Sequence, residues 1–177
     1  MFLSLPQLEA YNIKLSFITS SHLHEVNMNH GKYSIRIYKH SPHLINVTGI
    51  KKIDEVDQIK DELEEKFSIK IEKTRIDNLM ASRQVKFIFD FEKIIQSMKK
   101  NDLDKVFYVS YDQETYAQRI FLKPREKPCP SIQLLYTGSV TVMGCKSFED
   151  LNFCQRVIDL LYTSETLRRR NQPKETE

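Results

Sequence analysis

Glycine, cysteine and tryptophan are scarce in this sequence of 177 residues, which has four glycines, three cysteines and no tryptophan. So few glycines leave little room for loops that cradle phosphate groups, and neither GxGxxG nor GxxxxGKS/T occurs. No apolar run approaches the roughly 20 residues that a membrane-spanning helix needs. The opening MFLSLPQLEA lacks the basic start and long apolar core of a signal peptide. The sequence therefore predicts no common nucleotide-binding loop, no membrane span and no export signal.

Residues that can bind metal are present, but their spacing is poor for a metal site. Cys129, Cys145 and Cys154 are too few and too scattered for a disulfide framework or a CxxC-type site, and their odd number indicates a reducing compartment. The five histidines lie between His22 and His43, with no carboxylate or thiol at ligand spacing. We expect Cys145 and Cys154 to be small core residues and the histidine segment to be a polar loop. We expect no metal and no cofactor.

Three segments have the apolar spacing of amphipathic helices. The strongest signal runs from Ser147 to Tyr162, where Ser147 with Asp150 resembles a capping box. The other two are Lys52–Lys66 and Phe91–Lys100, the latter with Asp90 as its capping residue. One side of the Lys52–Lys66 helix is unusually acidic, with Asp54, Glu55, Asp57, Asp61, Glu62, Glu64 and Glu65.

Short segments rich in β-branched and aromatic residues predict strands between these helices. They are Tyr11–Thr19, Lys32–Lys39, Leu44–Thr48, Ile76–Phe89, Tyr116–Leu122, Ser131–Tyr136 and Val140–Met143. Thr137-Gly138-Ser139 has the composition of a hairpin turn between the last two. The polar segment 163–177 is predicted to be a disordered tail.

The same order of elements occurs twice along the chain. Each copy has an asparagine on its first strand, a tyrosine ending a later strand, and a strand that ends in Gly-X-Lys before an amphipathic helix. The two copies are Asn12…Tyr38…Gly49-Ile-Lys51 and Asn78…Tyr136…Gly144-Cys-Lys146. The asparagine-to-glycine distance is 37 residues in the first copy and 66 in the second. The first copy is therefore shorter by about one helix and one strand.

This ordered set resembles the TATA-box-binding protein family over roughly residues 6–162. Ile76-Asp-Asn78-Leu-Met-Ala-Ser82-Arg-Gln-Val85-Lys86-Phe87 is similar to the family's I-x-N-x-x-x-S-x-x-V-K-F strand. The segment from Ser110 to Tyr116 resembles its S-Y-x-P-E-L-F stirrup loop. Lys123-Pro124, followed by Leu134 to Lys146, resembles K-P…L-L-I-F-x-S-G-K-V-V-x-T-G-A-K. The first half matches at Pro6-Gln7-Leu8, at Asn12 and at Val47-Thr48-Gly49-x-Lys51.

The resemblance implies an α+β fold with a saddle-like, curved antiparallel sheet. Two pseudo-symmetric halves would form this sheet, with helices on its convex face and the first half truncated. It divides the chain into a truncated N-terminal repeat (residues 6–70), a C-terminal repeat (71–162) and the tail. In this family the concave face meets the DNA minor groove, where asparagines and small apolar side chains read A·T edges. Aromatic wedges then bend the duplex.

Carried over one residue at a time, the resemblance implies DNA contacts by asparagines, aromatic wedges, groove-facing threonine positions and phosphate-binding lysines. These residues are Asn12, Tyr38, Thr48, Lys51, Asn78, Tyr116, Tyr136, Thr141 and Lys146. The pattern also departs from the family. The matched wedges are tyrosines rather than phenylalanines, and a fourth wedge has no match. Small groove-facing valines of the family are replaced by Lys14, Asn46, Met80 and Thr141. Met143 replaces a second groove-facing threonine, and Leu122 replaces a phosphate-contacting arginine. Each residue also has an ordinary interpretation: backbone pairing for the asparagines, sheet packing for the tyrosines and solvation for the lysines.

Charge is distributed unevenly along the chain. The net charge of +3 comes from 27 basic and 24 acidic residues, and residues 71–146 hold 13 basic and 9 acidic side chains. Since phosphate neutralisation drives most non-specific affinity, this small excess predicts weak binding of A·T-rich promoter DNA unless a partner contributes. The acidic helix, with Asp54, Glu55, Asp61 and Glu62, is a candidate surface for a transcription factor or RNA polymerase subunit, although a solvated face is its ordinary interpretation. Glu114 matches the family's contact for transcription factor IIB.

Two functional hypotheses follow from the resemblance. The first is a transcription initiation factor that contacts promoter DNA in the minor groove and recruits the transcription machinery. The second is an interaction subunit of a transcription complex that has the same fold but does not bind DNA; the missing wedge favours it. No nucleophile–base pair stands out, so we expect neither an enzyme nor a small-molecule substrate. Either function implies a nuclear location, or a cytoplasmic viral factory if the source is a virus.

Overall fold

The computed structural model describes residues 8, 10–112, 118–126, 130–163 and 166–169. Within them the fold is α+β. The strands are β1 (Ala10–Ile18), β2 (Val26–Asn29), β3 (Ser34–Tyr38), β4 (Ser41–Ile50), β5 (Lys73–Gln84), β6 (Phe87–Phe89), β7 (Phe107–Asp112), β8 (Arg119–Pro124), β9 (Ser131–Leu135), β10 (Ser139–Cys145) and β11 (Leu167–Arg169). The helices are α1 (Glu55–Phe67), α2 (Phe91–Lys100) and α3 (Phe148–Leu161), with a single 3₁₀ turn at Leu103–Lys105.

The chain divides into two compact units at residue 80. The first unit comprises Ala10–Met80, and the second comprises Leu8 with the described residues from Ala81 onward. The strand order is β2-β3-β4-β1-β5 in the first unit and β5-β10-β9-β8-β7 in the second, so β5 contributes to both. The sequence had predicted a boundary between residues 70 and 71.

Antiparallel pairing joins neighbouring strands within each unit, and except for β4 with β1 these pairs join strands that follow each other along the chain. It links β2 with β3, β3 with β4 and β4 with β1, and in the second unit β7 with β8, β8 with β9 and β9 with β10. Among the described residues, the first unit has one α-helix and the second has two. The predicted α+β class, with an antiparallel sheet and a shorter first half, is confirmed.

The core of the first unit lies on one face of its sheet. Leu15 pairs with Val47, which pairs with Ile35 on the next strand, and all three side chains are buried. Leu63 of α1 is buried as well and lines the same cleft as Ile35, so the helix covers this face. Burial of each such side chain stabilises the fold by about 1.5–3 kcal/mol.

The core of the second unit has the same construction. Val142 pairs with Ile132, which pairs with Leu122, and each of these side chains is 0% exposed. Phe153 of α3 stacks on Phe107 of β7 with ring centroids 6.1 Å apart. The capping box predicted at the start of α3 is present, because the side chains of Ser147 and Asp150 each accept a backbone N–H of the other residue.

Strands β2, β7 and β11 lie where the sequence predicted none. Strand β2 falls inside the histidine segment, which was expected to be a polar loop; pairing of Val26 with Ile37 and of Met28 with Ile35 holds it in the sheet. Strand β7 includes Ser110, which the resemblance had placed in a stirrup loop. Of that loop, residues 113–117 lie outside the described residues.

Part of the predicted disordered tail is instead structured. Leu167 pairs with Phe89, so β11 and β6 form a two-stranded sheet. Thr166 is 1% exposed, its hydroxyl donates to the Leu161 carbonyl, and its own carbonyl accepts the Asp90 N–H at 2.8 Å. These contacts hold Thr166 and Leu167 in place, which corrects the expectation for residues 166–169.

Candidate nucleic-acid interface

The repeated Gly-X-Lys segments have the same geometry in both units. Gly49 and Gly144 adopt φ angles of 94° and 86°, a backbone conformation that residues other than glycine rarely adopt. At Gly49 the register with β1 shifts, so this glycine forms a bulge at the strand end. The residue after each glycine is buried, whereas Lys51 and Lys146 are exposed. Each unit therefore presents a lysine to solvent between a strand end and a helix.

Polar residues cover the face of the first-unit sheet that lies opposite its core. Lys14 pairs with Thr48, and both are exposed, as is Asn12 two positions before Lys14 on β1. Exposed amide, hydroxyl and ammonium groups on one sheet face can hydrogen-bond to base edges and phosphates. This surface therefore contains Asn12, Lys14 and Thr48.

The next row of the same face is less accessible. Asn46 is 9% exposed, and its side-chain oxygen lies 3.2 Å from the hydroxyl of the fully buried Ser16. The Ser16 hydroxyl also hydrogen-bonds to the Asp77 carboxylate, which in turn forms an ion pair with Arg75. Asn46 therefore belongs to an internal polar cluster rather than to an open surface.

The predicted aromatic wedges have different surroundings. Tyr38 is 40% exposed at the end of β3 and stacks on His40, with ring centroids 5.5 Å apart. Tyr136 is half-buried and meets Phe91 edge to face at 6.1 Å. Tyr116 and Glu114 lie outside the described residues. Of the two candidate wedges among the described residues, Tyr38 has the more accessible ring.

The open face of the second unit contains a row that starts at a predicted residue. Thr141 pairs with Gln133, which pairs with Phe121, and these side chains alternate with buried ones along their strands. Asn78 is half-buried on β5, next to the fully buried Leu79. The structure thus places Thr141 on an accessible face beside an aromatic residue that the sequence analysis did not single out.

Two aromatic residues on this face are surrounded by cations. The Arg119 guanidinium and the Lys123 ammonium lie 5.1 Å and 5.7 Å from the centre of the Phe121 ring. The Arg125 guanidinium lies 4.0 Å from the centre of the Tyr108 ring, and Tyr108 is 55% exposed. Because Phe121 lies between the buried Ile120 and Leu122, strand alternation could have placed it on the open face. Tyr108 could not be identified in this way, since β7 was not predicted.

The acidic residues of α1 fall into two groups. Glu62 accepts hydrogen bonds from the Tyr33 hydroxyl and, at 2.9 Å, from Gln58; these bonds lower the pKa of Glu62. Burial, followed by the bond to Glu62, raises the pKa of Tyr33 to about 12. Glu64 accepts the Ile71 N–H at 2.6 Å, so Glu62 and Glu64 both serve the first unit's own structure.

The second group forms an exposed stripe along α1. Asp54, Asp57, Asp61 and Glu65 follow one another at three- and four-residue intervals, on the side opposite the buried Ile59 and Leu63. Glu55 is half-buried. We call these four residues the acidic stripe; it is the part of the predicted acidic side that remains available to a partner.

Metal ligands, membrane-spanning helices and thiols in the described part of the chain bear on other functions. No group of three or more histidine, cysteine, aspartate or glutamate side chains there could hold a metal ion. No helix among those residues is long and apolar enough to cross a membrane. Cys145 and Cys154 are buried free thiols, as predicted.

Comparison with known proteins gives one informative result. No protein-family model matches the sequence, and no curated protein matches it. Among solved structures, the chain is similar to one described as Methanococcus jannaschii TBP, with a TM-score of 0.63 and 17% sequence identity. The match covers 87% of this chain and 96% of that chain. This chain therefore has the fold of a TATA-binding protein.

Proposed function

We propose that this protein is a transcription initiation factor of the TATA-binding-protein type, which contacts A·T-rich promoter DNA in the minor groove and recruits transcription machinery. The observation that carries the proposal is the repeated Gly-X-Lys strand end, which has a glycine with a similar positive φ and an exposed lysine in both units of a TATA-binding-protein-like fold. A lysine held at such a strand end suits contact with a phosphate, which positions a protein on the duplex.

The open face of the first unit supports groove contact. Asn12 and Thr48 are exposed polar residues that can donate to the acceptors of A·T base pairs in the minor groove. Lys14 stands where the family has a small valine. Its ammonium group cannot pack in the groove as a valine does, but it can reach a phosphate. Tyr38 is the candidate wedge of this unit because its ring is accessible. In the second unit the proposed contacts are Asn78, Tyr136, Thr141 and Lys146, together with Tyr116.

Titration of an A·T-rich duplex tests the proposal. The full chain, at low salt and with candidate transcription factors present, should bind the duplex. Substitutions Lys51→Gln and Lys146→Gln should each reduce the slope of log K against log salt by about 0.9, because each removes one phosphate contact. Asn12→Ala should weaken binding about tenfold through the loss of one hydrogen bond.

A matched control is available on α2. Lys100 is exposed in the second unit, outside the proposed contacts, so Lys100→Gln should leave the salt slope unchanged. Absence of duplex binding, or slopes that stay unchanged in Lys51→Gln and Lys146→Gln, would overturn the proposal.

The acidic stripe favours a second candidate function, an interaction subunit of a transcription complex without a DNA contact of its own. Four exposed carboxylates on one helix side repel DNA but attract a basic protein surface. In this alternative the stripe binds a polymerase subunit or another transcription factor, with Glu55 and Glu62 of the same helix beside it. Glu114 is a separate candidate contact in the sequence range of the other unit. The two candidates differ in which surface is essential.

The cellular location follows from either candidate. Both place the chain where its polymerase works, in the nucleus or, for a viral source, in a cytoplasmic factory. Neither candidate involves catalysis or a small-molecule substrate.

A further inference from the structure

A surface of aromatic and basic side chains occupies the open face of β7 and β8 in the second unit. Its members are Tyr108, Arg119, Phe121, Lys123 and Arg125, and we call it the aromatic–basic face. Tyr108 pairs with Lys123 across the two strands, and Phe121 lies two positions before Lys123 on β8. The side chains between them, Ile120 and Leu122, point into the core with 0% exposure. Strand alternation and pairing therefore hold all these groups on one side of the sheet.

We infer that this face binds single-stranded nucleic acid, with unpaired bases stacked on Phe121 and Tyr108 and phosphates next to Lys123 and Arg125. Surfaces that bind single strands combine aromatic rings, on which bases stack, with cations that follow the backbone. An unpaired base exposes both of its faces, so it can stack on a ring of this surface without the cost of unstacking a duplex step.

The charge of the face fits this ligand. Arg119 donates two hydrogen bonds to Asp112, at 3.0 Å and 3.1 Å, which neutralise it and fix its position beside Phe121. The Arg125 guanidinium donates to the Asp104 carbonyl at 2.7 Å and keeps its positive charge over Tyr108. Lys123 is exposed and takes part in no ion pair among the described residues. Two cations are therefore available for phosphates, and guanidinium planes also accept a stacked base.

The inference extends beyond the proposed contact with duplex DNA, because it concerns a different ligand and rests on the second unit alone. A factor that acts at promoters meets single strands where the duplex opens, and RNA offers the same chemistry. The shared ligand is a single-stranded polynucleotide, and the experiment distinguishes its DNA and RNA forms.

Fluorescence anisotropy with the full chain tests the inference. The probes are labelled oligothymidylate and oligouridylate of about 12 nucleotides, in the range of sites that such surfaces cover. At low salt the chain should bind at least one of them, and the preferred probe identifies the source. Phe121→Leu should weaken binding about five- to 150-fold, because leucine keeps the apolar packing but offers no ring for stacking.

Controls separate a lost contact from a lost fold. Phe148 is an aromatic residue on α3 with 38% exposure, so Phe148→Leu should bind the probes as the unsubstituted chain does. Lys123→Gln and Arg125→Gln should each reduce the salt slope by about 0.7, whereas Lys100→Gln should not. Circular dichroism and thermal unfolding establish that Phe121→Leu is folded.

The two proposals can fail independently. If the chain binds the A·T-rich duplex but neither single strand, or if folded Phe121→Leu binds the single strands as tightly as the unsubstituted chain, this inference is wrong and the proposed function remains. If it binds single strands through Phe121 but no duplex, the inference holds and the proposed duplex contact is wrong.

Discussion

The hydrogen bond between Tyr33 and Glu62 links the residue before β3 to α1 and leads to a residue-level prediction about pH. The bond, followed by that from Gln58, lowers the pKa of Glu62, so Tyr33→Phe should raise this pKa toward its ordinary value. A depressed carboxyl pKa stabilises the folded state above the pKa of the unfolded chain, and this contribution disappears as pH falls through the folded-state value. The stability difference between the native chain and Tyr33→Phe should therefore be about 0.5–1 kcal/mol at pH 7 and should shrink in acid.

Carboxyl NMR titration of Glu62 and urea unfolding at several pH values measure both effects. Tyr108→Phe is the matched control, because Tyr108 lies in the other unit and should leave the Glu62 pKa unaltered. A Glu62 pKa that does not move in Tyr33→Phe would contradict the prediction.

Some properties of the individual site residues could be predicted from the sequence and others could not. The repeated glycines and lysines could be predicted, because a Gly-X-Lys pattern at a strand end is local. The accessibility of Tyr38 and the enclosure of Asn46 could not be predicted, since both depend on which residues face them across the sheet. Phe121 is a second example. The alternation of apolar residues around it can be seen in the sequence, but the positions of Arg119 and Lys123 beside its ring depend on the strand geometry.

At the scale of elements, local signals predicted the helices well. Helix α2 occupies the predicted range Phe91–Lys100, and the Asp90 side chain accepts the Lys93 N–H at its start. Helix α1 begins at Glu55, three residues after the predicted Lys52, and its N-cap residue Asp54 makes no side-chain cap. Strands β2, β7 and β11 were not predicted. Strands β2 and β11 are short, polar and ordered by their pairing partners rather than by their own composition. The resemblance had assigned the end of β7 to a loop.

The pairing of β11 with β6 makes a prediction at the element scale. Leu167 is 9% exposed and lies opposite Phe89. Leu167→Ala should therefore destabilise the protein by about 2–4 kcal/mol, the range for a leucine removed from a packed site. Leu160 on α3 is 47% exposed, so Leu160→Ala should cost no more than about 0.5 kcal/mol. Urea unfolding of the two variants measures the difference; equal costs would mean that β11 contributes no packing.

At the scale of the whole molecule, a modest net charge conceals surfaces of opposite character. The chain carries a net charge of +3, yet the acidic stripe and the aromatic–basic face are each dominated by one sign. Composition alone predicted weak DNA binding, because it averages over both surfaces. Because they belong to different units, an acidic surface and a basic surface coexist on one chain.

Neutralisation of the acidic stripe separates the two candidate functions. A variant with Asp54→Asn, Asp57→Asn, Asp61→Asn and Glu65→Gln has a formal net charge that is higher by four. If the chain acts by binding the duplex, association with DNA should become several-fold faster at low salt, with the gain lost at high salt, because the removed repulsion is long-range and screened. The salt slope of the equilibrium should stay unchanged, since no phosphate contact is added.

If instead the chain acts through the stripe, the same variant should no longer assemble with the polymerase of its source, while Lys51→Gln with Lys146→Gln should assemble normally. Sedimentation of the purified polymerase with each variant measures assembly, and stopped-flow fluorescence measures association with DNA. Glu92→Gln with Glu149→Gln raises the net charge by two through exposed carboxylates on α2 and α3, and so measures the effect of net charge without a change to the stripe. Normal assembly of the neutralised variant would eliminate the interaction-subunit function, since that function requires the stripe as its contact surface.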